Sequence, residues 1–275
     1  MPAGALRFVT LNLWGENGPV ARRMALVAEE LARLAPDVVA LQEVRVAPGT
    51  GHQAESLAAA CGLFTVFAPT TSWGGGEEGL ALLSRFPIGD SSAATLPHAT
   101  TQEGRGVLSV RLDSPFGAVW AHVTHLSYRE HEGTKREDQL QFIEAIMAEK
   151  ATSSPNPHVL MGDLNAAPAC DEIRWLRGET TLGGRRVYYQ DAWDVVYPRE
   201  PGYTWAKENP FRAGMDWLRA DRRLDYVFVS ASRRDGRGRI AHVARVFDRP
   251  DGEGIYPSDH YGVMADVQMA PTEDA

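Results

Sequence analysis

The chain has 275 residues and a net charge of −8, with 44% hydrophobic and 23% charged residues. This composition is typical of a globular protein with a sizeable core, and the acidic balance argues against non-specific nucleic-acid binding through a broad basic surface. Two cysteines, Cys61 and Cys170, are too few for a disulfide framework. The first residues lack the pattern of a signal peptide, and no apolar run reaches the roughly 20 residues that span a bilayer. We therefore expect a cytoplasmic protein.

Strands and helices alternate along the chain. Apolar, β-branched runs bounded by turn residues predict strands, and apolar residues at helical spacing predict helices. In chain order, the predicted elements are a strand at 6–14, a helix between Pro19 and Pro36, a strand at 37–44, a helix at 53–61, strands at 63–68, 79–84, 107–112 and 116–126, a helix at 134–150, a strand carrying Asp163, and strands at 223–230, 240–247 and 261–269. This alternation predicts an α/β fold.

Three segments carry further local signals. The glycine-rich segment 73–79 fits neither a P-loop nor a dinucleotide fingerprint, and we expect a mobile surface loop there. Thr134 and Glu137 match a capping box at the start of a helix. Residues 166–209 are expected to form loops over a site. The aromatic residues of that region, among them Trp205, would either contact a substrate or anchor the loops.

Polar side chains recur where the predicted strands end. Sites in α/β folds assemble at such ends, although each residue taken alone has a purely structural explanation. The set is Asn12, Glu43, His125, Asp163, Asn165, Asp225, Asp259 and His260. Strand alternation would point Asp163 and Asn165 the same way. An acid and a carboxamide together suit a divalent metal, a phosphate and an attacking water.

With these residues in this order, the chain resembles the endonuclease/exonuclease/phosphatase superfamily, which has the deoxyribonuclease I-like fold. The matching motifs are LNLW at 11–14, LQEV at 41–44, GLALLSRFPI at 79–88, THL at 124–126, GDLN at 162–165, RLDY at 223–226 and SDH at 258–260. The resemblance implies a four-layer α/β sandwich of two packed mixed β-sheets flanked by helices. It also implies one domain over residues 1–275, with its core at about 5–269.

The resemblance implies a metal-dependent reaction at this site. The metal would be Mg²⁺, or Mn²⁺ in some members. Glu43 would be the chief metal ligand, with Asn12 beside it at the metal or the phosphate, and Asp259 would assist in metal binding or orientation. The sequence leaves open whether one metal or two are used.

The resemblance also implies roles in phosphoester hydrolysis for the other five residues. Asp163 would orient or deprotonate the attacking water, and Asn165 would hold the phosphate. His260 would contact the phosphate or act as the base, with Asp225 fixing its tautomer. His125 would stabilise the leaving oxygen. Whether Asp163 or His260 takes the proton stays open at this point.

The substrate is less well defined by the sequence. The histidine at 125 resembles the deoxyribonuclease and sphingomyelinase branches, and residues 106–140 are similar to sphingomyelinase-like bacterial members. Our first hypothesis is a phosphodiesterase or phosphatase acting on a small phosphorylated metabolite or lipid headgroup, without stable membrane insertion. The alternative is a DNA-directed endonuclease or exonuclease of the same fold, and a remote alternative is a non-catalytic binding module. The sequence does not indicate an oligomeric state.

Overall fold

The strands assemble into two sheets that pack against each other. The computed structural model describes residues 1–212 and 220–272. In chain order, the elements are β1 (Ala5–Asn12), α1 (Val20–Leu34), β2 (Val38–Ala47), β3 (Gly51–His52), α2 (Gln53–Cys61), β4 (Phe64–Trp73), β5 (Gly76–Ser84), β6 (Ile88–Thr95), β7 (Gly106–Ser114), β8 (Gly117–His125), α3 (Gly133–Ala151), β9 (Val159–Asp163), α4 (Asp171–Leu176), β10 (Tyr189–Asp191), α5 (Ala192–Val196), a 3₁₀ turn (Pro210–Arg212), β11 (Asp225–Ser230), β12 (Ile240–Val246) and β13 (Gly262–Gln268).

Both sheets are mixed. The first has the order β12-β13-β1-β2-β5-β4, with β3 pairing to β2, and the second has the order β10-β11-β9-β8-β7-β6. Strands β1 and β2 are parallel, as are β8 and β9, and the other pairs among the described residues are antiparallel. Parallel neighbours need a crossover connection, and helices α1 and α3 provide it. The helices therefore cover the outer faces of the sheets.

Apolar side chains fill the space on both faces of each sheet. In β1, Phe8 faces the other sheet and Val9 faces the helix side, because successive strand residues point to opposite faces. Val27 and Leu31 of α1 pack on the first sheet, and Ile143 of α3 packs on the second. The predicted four-layer α/β sandwich is confirmed.

Two local predictions are wrong. Residues 73–79 do not form a separate loop: β4 and β5 make a hairpin in which Trp73 pairs with Gly76. Gly74 and Gly75 both have positive φ (58° and 71°), as a tight two-residue hairpin turn requires. The capping box is also absent, because α3 begins after Glu132, which makes no side-chain cap. Because α3 already begins at Gly133, Thr134 lies inside the helix and does not cap it.

The topology brings several strand ends to one edge of the sandwich. Asn12 is the last residue of β1, and His125 and Asp163 are the paired last residues of β8 and β9. This edge carries the polar residues singled out in the sequence. Across residues 1–212 and 220–272, no helix has both the length and the apolar character to cross a membrane.

Candidate active site

Asn12 lies at the junction of the two sheets. Its Nδ2 donates hydrogen bonds to Oε1 of Glu43 at 2.9 Å and to Oδ2 of Asp163 at 3.2 Å. Its Oδ1 accepts a hydrogen bond from the backbone N–H of Trp14 at 2.9 Å. The buried carboxamide, 1% exposed, thus uses both of its donor hydrogens and one of its two acceptor lone pairs. It holds one carboxylate from each sheet next to the other.

Glu43 enters the site through an irregularity in β2. The register between β2 and β5 shifts between Leu41 and Val44, and Glu43 has a φ of 51°. A positive φ is unusual for a residue other than glycine and often occurs where a side chain is re-aimed at a site. The strand continues to Ala47 beyond its predicted end at Val44. Glu43 therefore reaches the site from a bulge within β2.

Asp163 and Asn165 both line the site, but not by strand alternation. Strand β9 ends at Asp163, and Asn165 has a φ of 50°. The backbone N–H of Asn165 donates to Oδ1 of Asp163 at 2.9 Å, which is an Asx-type turn. The Asn165 Nδ2 donates to the carbonyl of Leu126 at 3.1 Å. The turn, rather than a continued strand, sets the position of the carboxamide.

His260 pairs with Asp225. Its Nδ1 lies 2.8 Å from Oδ2 of Asp225, the first residue of β11. This contact places the hydrogen on Nδ1 against the carboxylate and turns Nε2 toward Asp163, whose Oδ2 is 3.8 Å away. His125 approaches the same Asp163 oxygen, with its Nε2 at 3.5 Å. Two imidazoles and one carboxamide thus surround a single carboxylate.

Burial and neighbouring charges determine which of these groups are protonated near neutral pH. Burial raises the pKa of Asp163 to about 7, with the charge of His260 opposing this shift and that of Asp225 adding to it. Burial alone would lower the pKa of His260, but Asp225, Asp163 and Asp259 hold it well above its usual value. Burial, with Arg105 and His260 nearby, holds the pKa of His125 well below its usual value. His260 is therefore charged and His125 neutral near pH 7.

The residues fit a divalent cation at Glu43 and Asp259. Burial raises the pKa of the Asp259 carboxyl to about 6, and the charge of Glu43 adds to the shift, so two carboxylates share one region. Hard divalent cations prefer such oxygen ligands. The Oδ1 of Asn12, which accepts the Trp14 N–H, could offer only its second lone pair to a cation. Glu43 and Asp259 therefore form the core of the candidate metal site.

A second set of metal-ligand types also meets here. Potential ligand atoms of Asp163, Asp225 and His260 lie within 4.8 Å of one another. The Nδ1 of His260 is already engaged by Asp225, and the three acids keep its imidazole protonated. A protonated imidazole does not bind a metal. This trio is thus better suited to handling a proton than to holding a cation.

These residues open into a cleft of about 430 Å³. Six of the eight predicted residues line it, namely Glu43, His125, Asp163, Asn165, Asp259 and His260. Asn12 and Asp225 lie behind them, hydrogen-bonded to Asp163 and His260. Sequence reasoning missed further lining residues, which are Trp14, Asn17, Arg105, Tyr128, Phe211, Arg212, Arg222 and Leu224. Arg222 directly precedes the RLDY motif, and Trp14 is the last residue of LNLW. Their position next to these motifs was the sequence feature from which they could have been predicted as lining residues.

Ser258 is a further residue that the sequence did not single out by itself. Its hydroxyl donates to the carbonyl of Asn12 at 2.6 Å, and it accepts from the backbone N–H of His260 at 3.3 Å. Arg23 of α1, fully buried, donates to the carbonyls of Leu13 at 2.6 Å and Pro257 at 3.2 Å. Ser258 thus ties the last residue of β1, and Arg23 the residue after it, to the segment that carries His260.

A family model described as the endonuclease/exonuclease/phosphatase family matches residues 9–260. A search of curated protein sequences gives no match. Among solved structures, a D. rerio TDP2 humanised by 14 mutations aligns with a TM-score of 0.74 and 20% identity, over 96% of this chain and 99% of that one. The human Nocturnin catalytic domain with bound sulfate anion aligns with a TM-score of 0.73 and 20% identity, over 98% of this chain and 95% of that one. D. rerio TDP2 complexed with single strand DNA product aligns with a TM-score of 0.73 and 21% identity, over 96% of this chain and 98% of that one. These neighbours share the two-sheet fold.

Proposed function

Because the chain belongs to the endonuclease/exonuclease/phosphatase family, whose members are hydrolases acting on phosphoesters, we propose that it is a metal-dependent phosphoester hydrolase with its active centre at Asp163. One observation carries this proposal. Asn12, His125 and His260 all converge on Oδ2 of Asp163, at 3.2, 3.5 and 3.8 Å. A buried carboxylate surrounded by fixed donors, in the lining of a cleft, suits water attack at phosphorus.

In the proposed reaction, Asp163 is the general base. Its pKa of about 7 allows the carboxylate to accept a proton from water near neutral pH. His260, already protonated and held by Asp225, cannot accept that proton. Instead, its charge stabilises the negative charge that builds on the phosphoryl oxygens as the water oxygen bonds to phosphorus. This assigns the proton to Asp163 and the electrostatic role to His260.

Neutral side chains would hold the phosphate and the leaving group. Asn165 reaches the cleft with its carboxamide anchored on Leu126, and we assign it to a phosphoryl oxygen. His125, kept neutral, would donate a hydrogen bond to the leaving oxygen as the ester bond breaks. Glu43 and Asp259 would hold the divalent cation, with Mg²⁺ the expected ion and Asn12 beside them. Such a cation supplies charge stabilisation to the phosphoryl oxygens.

We favour a small phosphorylated substrate, such as a metabolite or a lipid headgroup. The cleft volume of about 430 Å³ lies in the range of small-molecule pockets, roughly 300–1,000 Å³. Both sheets contribute residues to it, which supports the interpretation of the chain as one catalytic domain. Comparing the hydrolysis of a chromogenic phosphodiester with that of a phosphomonoester decides which class of ester the enzyme cleaves.

A nuclease is the second candidate. Trp14 and Phe211 line the cleft with ring centroids 4.8 Å apart, and aromatic side chains of this kind stack nucleic-acid bases. The structural neighbour D. rerio TDP2 was solved with a single strand DNA product. Under this proposal, a base would stack on the aromatic pair while its phosphate reached Asp163.

The test compares wild type with Asp163→Asn, with and without Mg²⁺, on three substrates. These are a chromogenic phosphodiester, a chromogenic phosphomonoester and supercoiled plasmid with or without abasic sites. Mg²⁺-dependent hydrolysis of a chromogenic ester without nicking supports the small-substrate enzyme, and nicking by wild type alone supports the nuclease. The proposal would be overturned if Asp163→Asn kept both ester hydrolysis and plasmid nicking at the level of wild type. It would also be overturned if wild type hydrolysed none of the substrates.

A further inference from the structure

We propose that Thr204 is a positioning residue that holds the Asp225–His260 pair in register, an inference that rests on the proposed function. Thr204 lies in the loop before β11 and is fully buried. It makes hydrogen bonds to the backbone next to each member of the pair, at Leu224 and Asp225 on one side and at Tyr261 on the other. We call Thr204 and its hydrogen bonds to Leu224, Asp225 and Tyr261 the Thr204 clamp.

The first half of the clamp supports Asp225. The Thr204 hydroxyl accepts hydrogen bonds from the backbone N–H groups of Leu224 at 3.0 Å and Asp225 at 3.2 Å. Asp225 opens β11, and the neighbouring strand β10 pairs only with residues 228–230. The start of β11 therefore has no backbone pairing with β10, although Arg223, two residues earlier, donates to the Asp191 carboxylate of β10 at 2.7 and 2.8 Å. A side-chain hydroxyl supplies the acceptor there.

The second half of the clamp supports His260. The carbonyl of Thr204 accepts a hydrogen bond from the backbone N–H of Tyr261, the residue after His260, at 2.7 Å. The clamp is itself anchored by the backbone of Arg222. The N–H groups of Thr204 and Trp205 both donate to the carbonyl of Arg222, and the N–H of Arg222 donates to the carbonyl of Trp205, each at 2.9 Å. One residue thus fixes the spacing between the segments of Asp225 and His260.

The Asp225 carboxylate depends on this backbone support. Its Oδ2 is held by His260 at 2.8 Å, whereas its Oδ1 is buried and has no hydrogen-bond partner among the described residues. Without a second side-chain contact, the orientation of the carboxylate follows its own backbone and the imidazole. A shift at the start of β11 would turn His260 relative to Asp163, and a misplacement of about 1 Å can cost about 100-fold in rate.

The test replaces Thr204 by valine, which keeps the shape and removes the acceptor, and by serine, which keeps the acceptor. For Thr204→Val we expect kcat on a chromogenic phosphodiester to fall about 10- to 100-fold, with KM and the Mg²⁺ concentration for half activity nearly unchanged. Thr204→Ser should restore most of kcat. The matched control is Thr65→Val, which removes a hydroxyl that donates to the carbonyl of Leu82 at 3.3 Å from β4, the edge strand of the first sheet. That control should keep wild-type activity.

A second readout does not depend on turnover. The Nδ1 proton of His260, held against Asp225, should give a downfield ¹H NMR signal that shifts or disappears in Thr204→Val and returns in Thr204→Ser. If Thr204→Val does not fold, Thr204→Cys, with a weaker acceptor of similar size, should show a smaller change in the same direction. An unchanged kcat together with an unchanged signal in a folded Thr204→Val would overturn the clamp. Wild-type protein that hydrolyses no phosphoester would instead overturn the proposed function, while the signal would still decide the clamp.

Discussion

Asn12 and Asp163 join the two sheets, because Nδ2 of Asn12, at the end of β1, lies 3.2 Å from Oδ2 of Asp163, at the end of β9. The site is therefore assembled across the sandwich rather than within one sheet. Any sliding of one sheet against the other would separate Glu43 from Asp163. The buried apolar layer between the sheets is thus part of what keeps the site in place.

Asp163→Asn should lower kcat at least about 1000-fold, because the amide cannot accept the proton of the attacking water. The change keeps the shape of the side chain, so the fold should persist by circular dichroism. The measurement is hydrolysis of a chromogenic phosphoester with Mg²⁺. Asp90→Asn, on the exposed edge strand β6, is the matched control. Activity of Asp163→Asn within about threefold of the control would remove Asp163 from the proposed mechanism.

Glu43→Gln should weaken metal binding more than it weakens the fold. Losing one charged ligand should raise the Mg²⁺ concentration for half activity about 10- to 100-fold, and titration calorimetry should show the same loss of affinity. Glu29→Gln, on the exposed side of α1, should leave both quantities unchanged. An unaltered Mg²⁺ affinity in Glu43→Gln would mean that the cation binds elsewhere.

The loss of rate in His125→Phe should depend on the leaving group of the substrate. If the neutral imidazole donates a hydrogen bond to the leaving oxygen, its loss should slow an alkyl phosphoester more than a nitrophenyl phosphoester, by about tenfold or more. Nitrophenolate needs little help to leave, whereas an alkoxide needs a donor. Rates for the two esters with wild type and variant give the comparison. Equal losses for both esters would instead place His125 at the phosphate or in the fold.

Acid should destabilise the protein through a buried histidine pair remote from the cleft. Nδ1 of His122 lies 2.8 Å from the Ser109 hydroxyl, and its Nε2 lies 3.3 Å from Nδ1 of His158. Burial lowers the pKa of His122 to about 3 and that of His158 to about 4. The unfolded chain takes up these protons near pH 6.5, so the free energy of unfolding is undiminished above that pH and falls as the pH drops toward 4.

The measurement is urea unfolding from pH 7.5 to 5. Each histidine should contribute roughly 1 kcal/mol per pH unit to the loss of stability below pH 6. His158→Phe keeps an aromatic ring against His122 and removes one titrating group, so its stability should fall less steeply with decreasing pH. Identical slopes for wild type and His158→Phe would show that the pair does not control acid stability.

The sequence predicts the regular parts of this fold well and its irregular parts poorly. The helix predicted at 53–61 matches α2, and Gly62, which follows it, takes the left-handed conformation that ends helices. Strand β6 was missed because it is an edge strand whose residues are mostly exposed, so it has little apolar alternation. Strength of the local hydrophobic pattern decided which elements were found.

The eight polar residues could be selected in advance because each stands in a recognisable motif at a strand end. Their orientations could not be predicted. The positive φ of Glu43 depends on a bulge against β5, and the turn at Asn165 depends on hydrogen bonds to the Asp163 carboxylate and to the carbonyl of Leu126. Thr204 carries no chemistry of its own, and its importance becomes visible only once β11 and His260 are placed beside it.

The position of β13 has a consequence for how the protein is made. This strand, the last within residues 1–212 and 220–272, lies between β12 and β1, and its register pairs Gln268 with Ala5. During synthesis, β1 emerges from the ribosome long before β13, so this edge of β1 stays unpaired until β13 follows. Contacts between such distant residues slow folding. The first sheet therefore closes only after β13 has been synthesised, and until then the apolar edge of β1 needs protection from aggregation.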